Sequence, residues 1–85
     1  MKLELSGRRA IVTGAAQGIG RCIVQALSDE GVQVAAFDMD TAGLAHATQA
    51  GAVFIHTVDL ADRAAVQAAV QQAADALGGI DILVN

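Results

Sequence analysis

Residues 9–20 read R-A-I-V-T-G-A-A-Q-G-I-G, a short run rich in aliphatic residues followed by three glycines spaced G-x-x-x-G-x-G. The run at 9–13 predicts a β-strand, and helical periodicity begins after it, so residues 14–20 are predicted to turn from strand to helix. The pyrophosphate of a dinucleotide binds at such a turn, because free N–H groups at the start of a helix face the anion. The spacing differs from the common G-x-G-x-x-G fingerprint, and the alternative is a tight turn whose glycines serve packing alone.

Each glycine of this turn has a predicted role. Gly14 lets the chain turn sharply off the strand, Gly18 lets the backbone approach the phosphates, and Gly20 lets the helix pack closely on the sheet. The backbone N–H of Ile19 points at the anion along the favourable end of the helix dipole. Together with Gln17, these residues form the predicted phosphate site.

Strands and helices alternate along the rest of the chain. Strands are predicted at 9–13, 32–38, 52–58 and 80–84, with helices at 19–30, 41–50 and 62–77. Asp40 or Thr41 can cap the second helix, and Asp62 can cap the third. The β-α-β-α-β-α-β pattern predicts an α/β fold, a Rossmann-type doubly wound parallel sheet with right-handed crossovers and the strand order 3-2-1-4.

The apolar periodicity also predicts which helix faces are buried. In the first helix, the predicted face consists of Ile19, Ile23, Ala26 and Leu27. In the third helix, it consists of Val66, Val70, Ala73 and Leu77.

Asp38 closes the second predicted strand, twenty-four residues after Gly14. A carboxylate there can accept both hydroxyls of an adenosine ribose, and it would repel a 2′-phosphate by about 4 kcal/mol at ~4 Å and an effective dielectric constant near 20. No Arg or Lys stands at 15–17 or 39–40 to offset that repulsion, so NAD is predicted over NADP. Met39 is assigned to the same cofactor site. The alternative is that Asp38 or Asp40 merely caps the following helix.

Asp59 and Leu60 follow the third predicted strand at the same carboxyl edge of the sheet. Asp59 could accept from an exocyclic amine such as that of adenine, while the Leu60 backbone amide donates to the ring. The alternative for Asp59 is a loop carboxylate that bonds neighbouring backbone N–H groups.

Composition excludes several classes of protein. With 85 residues, 54% hydrophobic and 16% charged, the chain is one small ordered domain without room for a separate substrate lobe. A net charge of −4 and 2% aromatic residues argue against a nucleic-acid partner. No apolar run approaches the ~18 residues that cross a bilayer, so no membrane partner is expected.

Isolated reactive residues add little to the predicted site. Cys22 is the single cysteine and cannot close an intrachain disulfide, which favours a cytoplasmic location, and we expect it to pack as a small apolar residue. Arg21 could reach a phosphate, but we expect it to point to solvent. His46 and His56 have no further ligand at metal-binding spacing, so no metal site is predicted.

Together, TGAAQGIG at 13–20, Asp38, the Asp59-Leu60 pair and ILVN at 82–85 resemble the short-chain dehydrogenase/reductase family. The resemblance implies that the glycine turn holds the pyrophosphate, that Asp38 marks a preference for NAD, and that Asp59-Leu60 holds adenine. Asn85 resembles the first asparagine of the family's N-N-A-G motif, which steadies the central strands beside the cofactor. The implied reaction is hydride transfer between NAD and a small-molecule alcohol or ketone, in a protein that is a homo-oligomer, either tetramer or dimer.

The same resemblance implies that the catalytic residues lie elsewhere. Members of the family carry a serine and a Tyr-x-x-x-Lys well downstream, whereas this chain has no tyrosine and its only lysine is Lys2. The last predicted strand is apolar on both faces, which is typical of the interior of a parallel sheet. We therefore expect 1–85 to be the amino-terminal dinucleotide-binding half-domain of a longer single-domain protein, with no catalytic residue of its own.

Two other functions remain open at this stage. One is a non-catalytic nucleotide-binding or assembly module, a natural or engineered minimal half-Rossmann unit. The other is a binder of an adenosyl cofactor similar to a methyltransferase, which the glycine spacing and the Asp-Leu pair fit less well. A P-loop is excluded, because no Gly-Lys-Ser/Thr follows the turn.

Overall fold

The computed structural model describes residues 5–85 and confirms the alternating order of strands and helices. The elements are β1 (Arg9–Thr13), α1 (Gly18–Asp29), β2 (Gln33–Asp38), α2 (Thr41–Gln49), β3 (Phe54–Thr57), α3 (Arg63–Leu77) and β4 (Ile82–Val84). The strands β2, β3 and β4 are shorter than predicted, and two of the missing residues complete hydrogen bonds at the end of a helix instead: Val32 donates to the Leu27 carbonyl at 3.0 Å, as Ala52 does to that of Ala47. At the end of α3, Gly79 donates to the Ala74 carbonyl at 2.9 Å.

The four strands form one parallel sheet in the order β3-β2-β1-β4, as predicted. Because successive side chains alternate between the two faces, β1 and β2 contribute to two separate cores. On one face Val12 and Val34 pack with Val24 of α1 and Leu44 of α2. On the other face Ile11, Ala35 and Phe37 of the sheet pack with Ala69 and Ala73 of α3. Helices therefore cover both faces of the sheet.

The predicted buried face of α1 is partly wrong. Ile23 and Leu27 do pack against the core, but Ile19 is 80% exposed and Ala26 is also exposed, while Val24 is fully buried. Val24 faces the sheet one turn after Gly20, which turns Ile19 outward at the start of the helix.

The predicted face of α3 needs one correction as well. Val66 and Leu77 pack against the core and Ala73 is buried, but Val70 is 37% exposed and Ala69 takes the buried place next to it.

An ion pair that the sequence did not indicate joins the start of β1 to the start of β4. The Arg9 Nε donates to Asp81 Oδ2 at 3.0 Å, and the Arg9 backbone N–H donates to the same oxygen at 2.9 Å. The Arg9 Nη1 also donates to the Gly78 carbonyl at the end of α3, at 2.7 Å. The hydrogen bonds from Arg9 lower the pKa of Asp81, and the same carboxylate raises the pKa of Arg9. This contact ties β4 and the end of α3 to the central strand.

Candidate nucleotide-binding site

The carboxyl ends of the parallel strands gather the predicted site residues at one edge of the sheet. Thr13 is in register with Phe37, and Asp38 is in register with Thr57. The glycine-rich turn follows β1, Asp38 ends β2 and Met39 comes next, and Asp59 and Leu60 lie two and three residues after the last residue of β3. Open parallel sheets bind ligands at this edge.

The glycine-rich turn needs glycine at Gly14 and Gly18 for its backbone conformation. Their φ angles are +64° and +46°, a region that side chains rarely adopt, and a Cβ at either position would meet no atom within 4 Å. The turn therefore presents bare backbone to an open side. Such a surface fits the close approach of a phosphate group.

Gly20 allows a close contact with the backbone of Gly14 that the sequence did not indicate. A Cβ at Gly20 would overlap the Gly14 carbonyl oxygen and lie 2.7 Å from the Gly14 carbonyl carbon. The glycine thus lets the first turn of α1 close on the glycine-rich turn itself, a contact distinct from the predicted packing on the sheet.

The amino terminus of α1 differs from those of the other two helices. Asp40 caps α2 by accepting from Gly43 N–H, and Asp62 caps α3 by accepting from Ala65 N–H. In contrast, Gln17 at the N-cap of α1 makes no side-chain cap hydrogen bond, and no acidic residue lies in the first turn. The first amides of α1, including that of Ile19, are thus left without a capping carboxylate at the positive end of the helix dipole. An external anion such as a pyrophosphate fits this end.

Asp38 is half-buried, and backbone N–H groups hold both of its carboxylate oxygens. Oδ2 accepts from Ala16 N–H at 3.1 Å, and Oδ1 accepts from Asp40 N–H at 3.0 Å. The alternative in which Asp38 caps α2 is wrong, since that cap is Asp40. A carboxylate oxygen can accept more than one hydrogen bond, so Asp38 keeps acceptor capacity for ribose hydroxyls.

The turn is further anchored to β2 by the backbone. Ala15 N–H donates to the Phe37 carbonyl at 3.2 Å. With the bond from Ala16 to Asp38, two successive amides of the turn are therefore fixed to the last two residues of β2. The predicted phosphate site and the predicted ribose carboxylate belong to one connected unit.

Asp59 bonds its own loop, as in the alternative considered above. Its Oδ1 accepts from Ala61 N–H at 2.9 Å, and its backbone carbonyl accepts from Asp62 N–H at 3.0 Å. The residue is exposed and its Oδ2 remains available as an acceptor. Leu60 is 48% exposed and Met39 is 63% exposed at the same edge of the sheet. These two side chains, with that of Ile19, give the edge an apolar component.

Asn85 lies beside the end of the central strand. The Thr13 Oγ1 is 3.2 Å from the Val84 carbonyl oxygen and 3.3 Å from the Asn85 Oδ1, and its single proton can be donated to one of them at a time. The Thr13 hydroxyl is thus a connection between β1 and β4 that the sequence reasoning did not assign. Its position directly before Gly14 was the available signal.

Comparison with known proteins agrees with this geometry. The profile of the family described as short chain dehydrogenase matches residues 8–85. The chain belongs to the short-chain dehydrogenase family. It is 45% identical to D-threitol dehydrogenase of Mycolicibacterium smegmatis over 96% of the chain and 34% of that protein. It is 46% identical to 2-dehydro-3-deoxy-L-rhamnonate dehydrogenase (NAD(+)) of Sphingomonas sp., over 93% of the chain and 32% of that protein.

A solved structure supports the same assignment. The 3-ketoacyl-(acyl-carrier-protein) reductase from Brucella melitensis, complexed with NADH, superposes with a TM-score of 0.87 at 31% identity, over 93% of this chain and 33% of the reductase. The short-chain dehydrogenases are oxidoreductases that bind nicotinamide cofactors and act on small-molecule alcohols. This chain spans about a third of the length of the curated relatives it matches.

Two expectations for residues in the first turns of α1 are wrong. Arg21 does not point to solvent, since its Nη2 donates to the Ala16 carbonyl at 2.7 Å and its Nε is buried. Cys22 is exposed, because it lies on the opposite side of α1 from the buried Val24.

The two histidines lie on different elements, α2 and β3. His46 is exposed on α2, and the His56 ring lies 6.0 Å from the ring of Phe37 and 6.1 Å from that of Phe54. Within residues 5–85, no three His, Cys, Asp or Glu residues are grouped as a metal site would require. In the same part of the chain, no helix has the length and apolar character needed to cross a membrane.

Proposed function

We propose that this chain is the NAD(H)-binding portion of a short-chain dehydrogenase that transfers a hydride between NAD and a small alcohol or ketone. The observation that carries the proposal is the Asp38 carboxylate, held by the amides of Ala16 and Asp40 beside the uncapped start of α1. One unit thereby offers acceptors for a ribose and donors for a pyrophosphate. Two similar proteins are consistent with this cofactor: one is a dehydrogenase whose name specifies NAD(+), and the other is a reductase whose structure was solved in complex with NADH.

Different residues bind different parts of the dinucleotide. Gly14, Gln17, Gly18, Ile19 and Gly20 hold the pyrophosphate through the backbone of the turn and the first turn of α1. The nicotinamide supplies the hydride chemistry when it is bound. The chain contributes binding and orientation, and the groups that move protons are proposed to lie outside these 85 residues.

The adenosine end is held at the ends of β2 and β3. Asp38 accepts from the ribose hydroxyls, and the exposed side chain of Met39 offers an apolar contact beside it. Asp59 and Leu60 hold the adenine, with the free Oδ2 of Asp59 as acceptor. At the other side of β1, Asn85 steadies the central strands through its contact with Thr13.

The preference for NAD follows from charge. A 2′-phosphate about 4 Å from Asp38 would be disfavoured by about 4 kcal/mol at an effective dielectric constant near 20, an upper limit of about a thousandfold in affinity. No Arg or Lys stands at 15–17 or 39–40 to reduce that repulsion. We also propose that the whole protein acts in the cytoplasm as a homo-oligomer, either tetramer or dimer. The single cysteine supports the cytoplasmic location.

The proposal is tested by titrating the full-length protein with NAD+ and with NADP+ in a calorimeter. We expect the wild-type protein to bind NAD+ and to disfavour NADP+. In Asp38→Ala, we expect weaker binding of NAD+ and a shift of the affinity ratio toward NADP+. Asp75→Ala on the exposed side of α3 removes the same charge far from the site and is the control. Unchanged affinities for both dinucleotides in Asp38→Ala would contradict the proposal.

A further inference from the structure

Gly43 is buried in the first turn of α2, between that helix and the glycine-rich turn. A Cβ at this position would lie 2.7 Å from the Cβ of Ala16 and 2.6 Å from the Oδ2 of Asp40. Ordinary contact begins at 3.4 Å, so this packing requires a residue without a side chain.

The two residues that a Cβ at Gly43 would meet are also the two whose amides hold Asp38. Ala16 N–H donates to one carboxylate oxygen at 3.1 Å, and Asp40 N–H donates to the other at 3.0 Å. Ala16 itself is completely buried, and its carbonyl is held by Arg21 at 2.7 Å. The α2 helix and the turn thus meet at Gly43, and their amides converge on a single carboxylate.

We propose that Gly43 is a positioning residue for Asp38 and that it thereby determines how strongly the protein discriminates NAD from NADP. This inference rests on the proposed function. The Ala16 Cβ is attached directly to the backbone, so it cannot rotate away from a methyl group added at Gly43. Relief of the overlap has to move the turn, with the Ala16 amide, or α2, with the Asp40 amide. Either movement removes a donor from Asp38 and leaves the carboxylate free to turn away from a 2′-phosphate.

The test measures the dissociation constants of NAD+ and NADP+ for the full-length protein carrying Gly43→Ala. Loss of one amide bond to a carboxylate is expected to lower the ratio of the NADP+ constant to the NAD+ constant about tenfold. The ratio is the decisive quantity, since general destabilisation of the fold weakens both dinucleotides alike. Thr48→Ala, which is exposed on the same helix and also raises helix propensity, is the control and is expected to keep the wild-type ratio.

Two further variants complete a double-mutant cycle. Ala16→Gly removes the methyl group that lies against Gly43, whereas Gly43→Ala adds a second one. The contact that positions Asp38 is lost in the first case and overfilled in the second, so Ala16→Gly is also expected to lower the ratio. The double variant Ala16→Gly/Gly43→Ala again places one methyl group in the contact, and we expect its ratio to return toward the wild-type value. Ala16→Gly introduces no overlap, so it provides the decisive comparison if Gly43→Ala does not fold.

The outcomes separate this inference from the proposed function. A wild-type protein that binds neither dinucleotide would refute both. Wild-type selectivity for NAD+, with the same ratio in both single variants, would refute only the role of Gly43. A double variant whose ratio stays as low as that of the single variants would also overturn it.

Discussion

Substitution of Gly20 by alanine tests the contact that closes the glycine-rich turn. The new Cβ would overlap the Gly14 carbonyl oxygen and lie 2.7 Å from its carbon and 3.1 Å from Ala15 Cα. All three are backbone atoms, so the turn itself has to open. Overpacking of this kind costs about 1–3 kcal/mol, whereas replacing a helical glycine by alanine gains about 1 kcal/mol. We therefore expect a net loss of stability of about 0–2 kcal/mol.

We expect Gly20→Ala to lower the affinity for the dinucleotide more than it lowers the free energy of unfolding. The backbone that moves is the backbone proposed to hold the pyrophosphate, and no helix-propensity gain offsets that loss. If about 1–3 kcal/mol of this cost falls on binding, we expect the affinity for NAD+ to fall by about fivefold to about 150-fold.

Circular dichroism melting and calorimetric titration together measure the two effects in Gly20→Ala. In a single domain of about 150–250 residues, such as the proposed full-length protein, a stability change of 1 kcal/mol moves Tm by about 2–4 °C. Ala26→Gly is the matched control, because it lies exposed on the same helix and changes helix propensity in the opposite direction. It should lower Tm and leave NAD+ affinity unchanged. A Gly20→Ala protein with a raised Tm and wild-type affinity would show that the Gly14 contact is unimportant and would refute the reasoning.

Two further predictions concern stability. Asp62→Ala removes the cap of α3 and should lower the free energy of unfolding by about 1 kcal/mol in a melting experiment, whereas Gln17→Ala, which removes no cap bond, should change it little. Asp81→Asn should destabilise the protein most above the unfolded-state pKa near 3.8, because Arg9 lowers the folded-state pKa, and the difference from wild type should shrink as the pH falls through that lower value. Urea unfolding at several pH values measures it, with Glu30→Gln as the charge control, and a difference independent of pH would contradict the pairing.

The sequence predicted the order of elements because each one carries a local signal. The glycines at 14–20, the aspartates at helix starts and the aliphatic runs act within a few residues, and the strand order follows from the connection rules. The position of Asp38 at the end of β2 was predicted correctly for the same reason, because the end of that strand can be read from the sequence.

The misses have a different physical origin. The Arg9–Asp81 pair joins residues 72 positions apart, and no local pattern indicates which partner a partly exposed arginine takes. Cys22, Arg21 and Ile19 were placed wrongly, because the rotation of α1 is set by Val24 packing on the sheet and by Gly20 closing on Gly14. Periodicity alone left both of these contacts undetermined.

The hydrogen bonds of Asp38 limit how cofactor preference can be exchanged. The carboxylate that is proposed to bind the ribose also satisfies the part-buried amides of Ala16 and Asp40. Removing it leaves two donors without that acceptor, and each unsatisfied donor costs about 1–3 kcal/mol when water cannot reach it. A substitution to alanine thus loosens the pyrophosphate turn while it removes the repulsion of a 2′-phosphate. The affinity ratio should shift toward NADP+ even as both affinities fall, and tight binding of NADP+ requires a replacement that still accepts from Ala16 N–H.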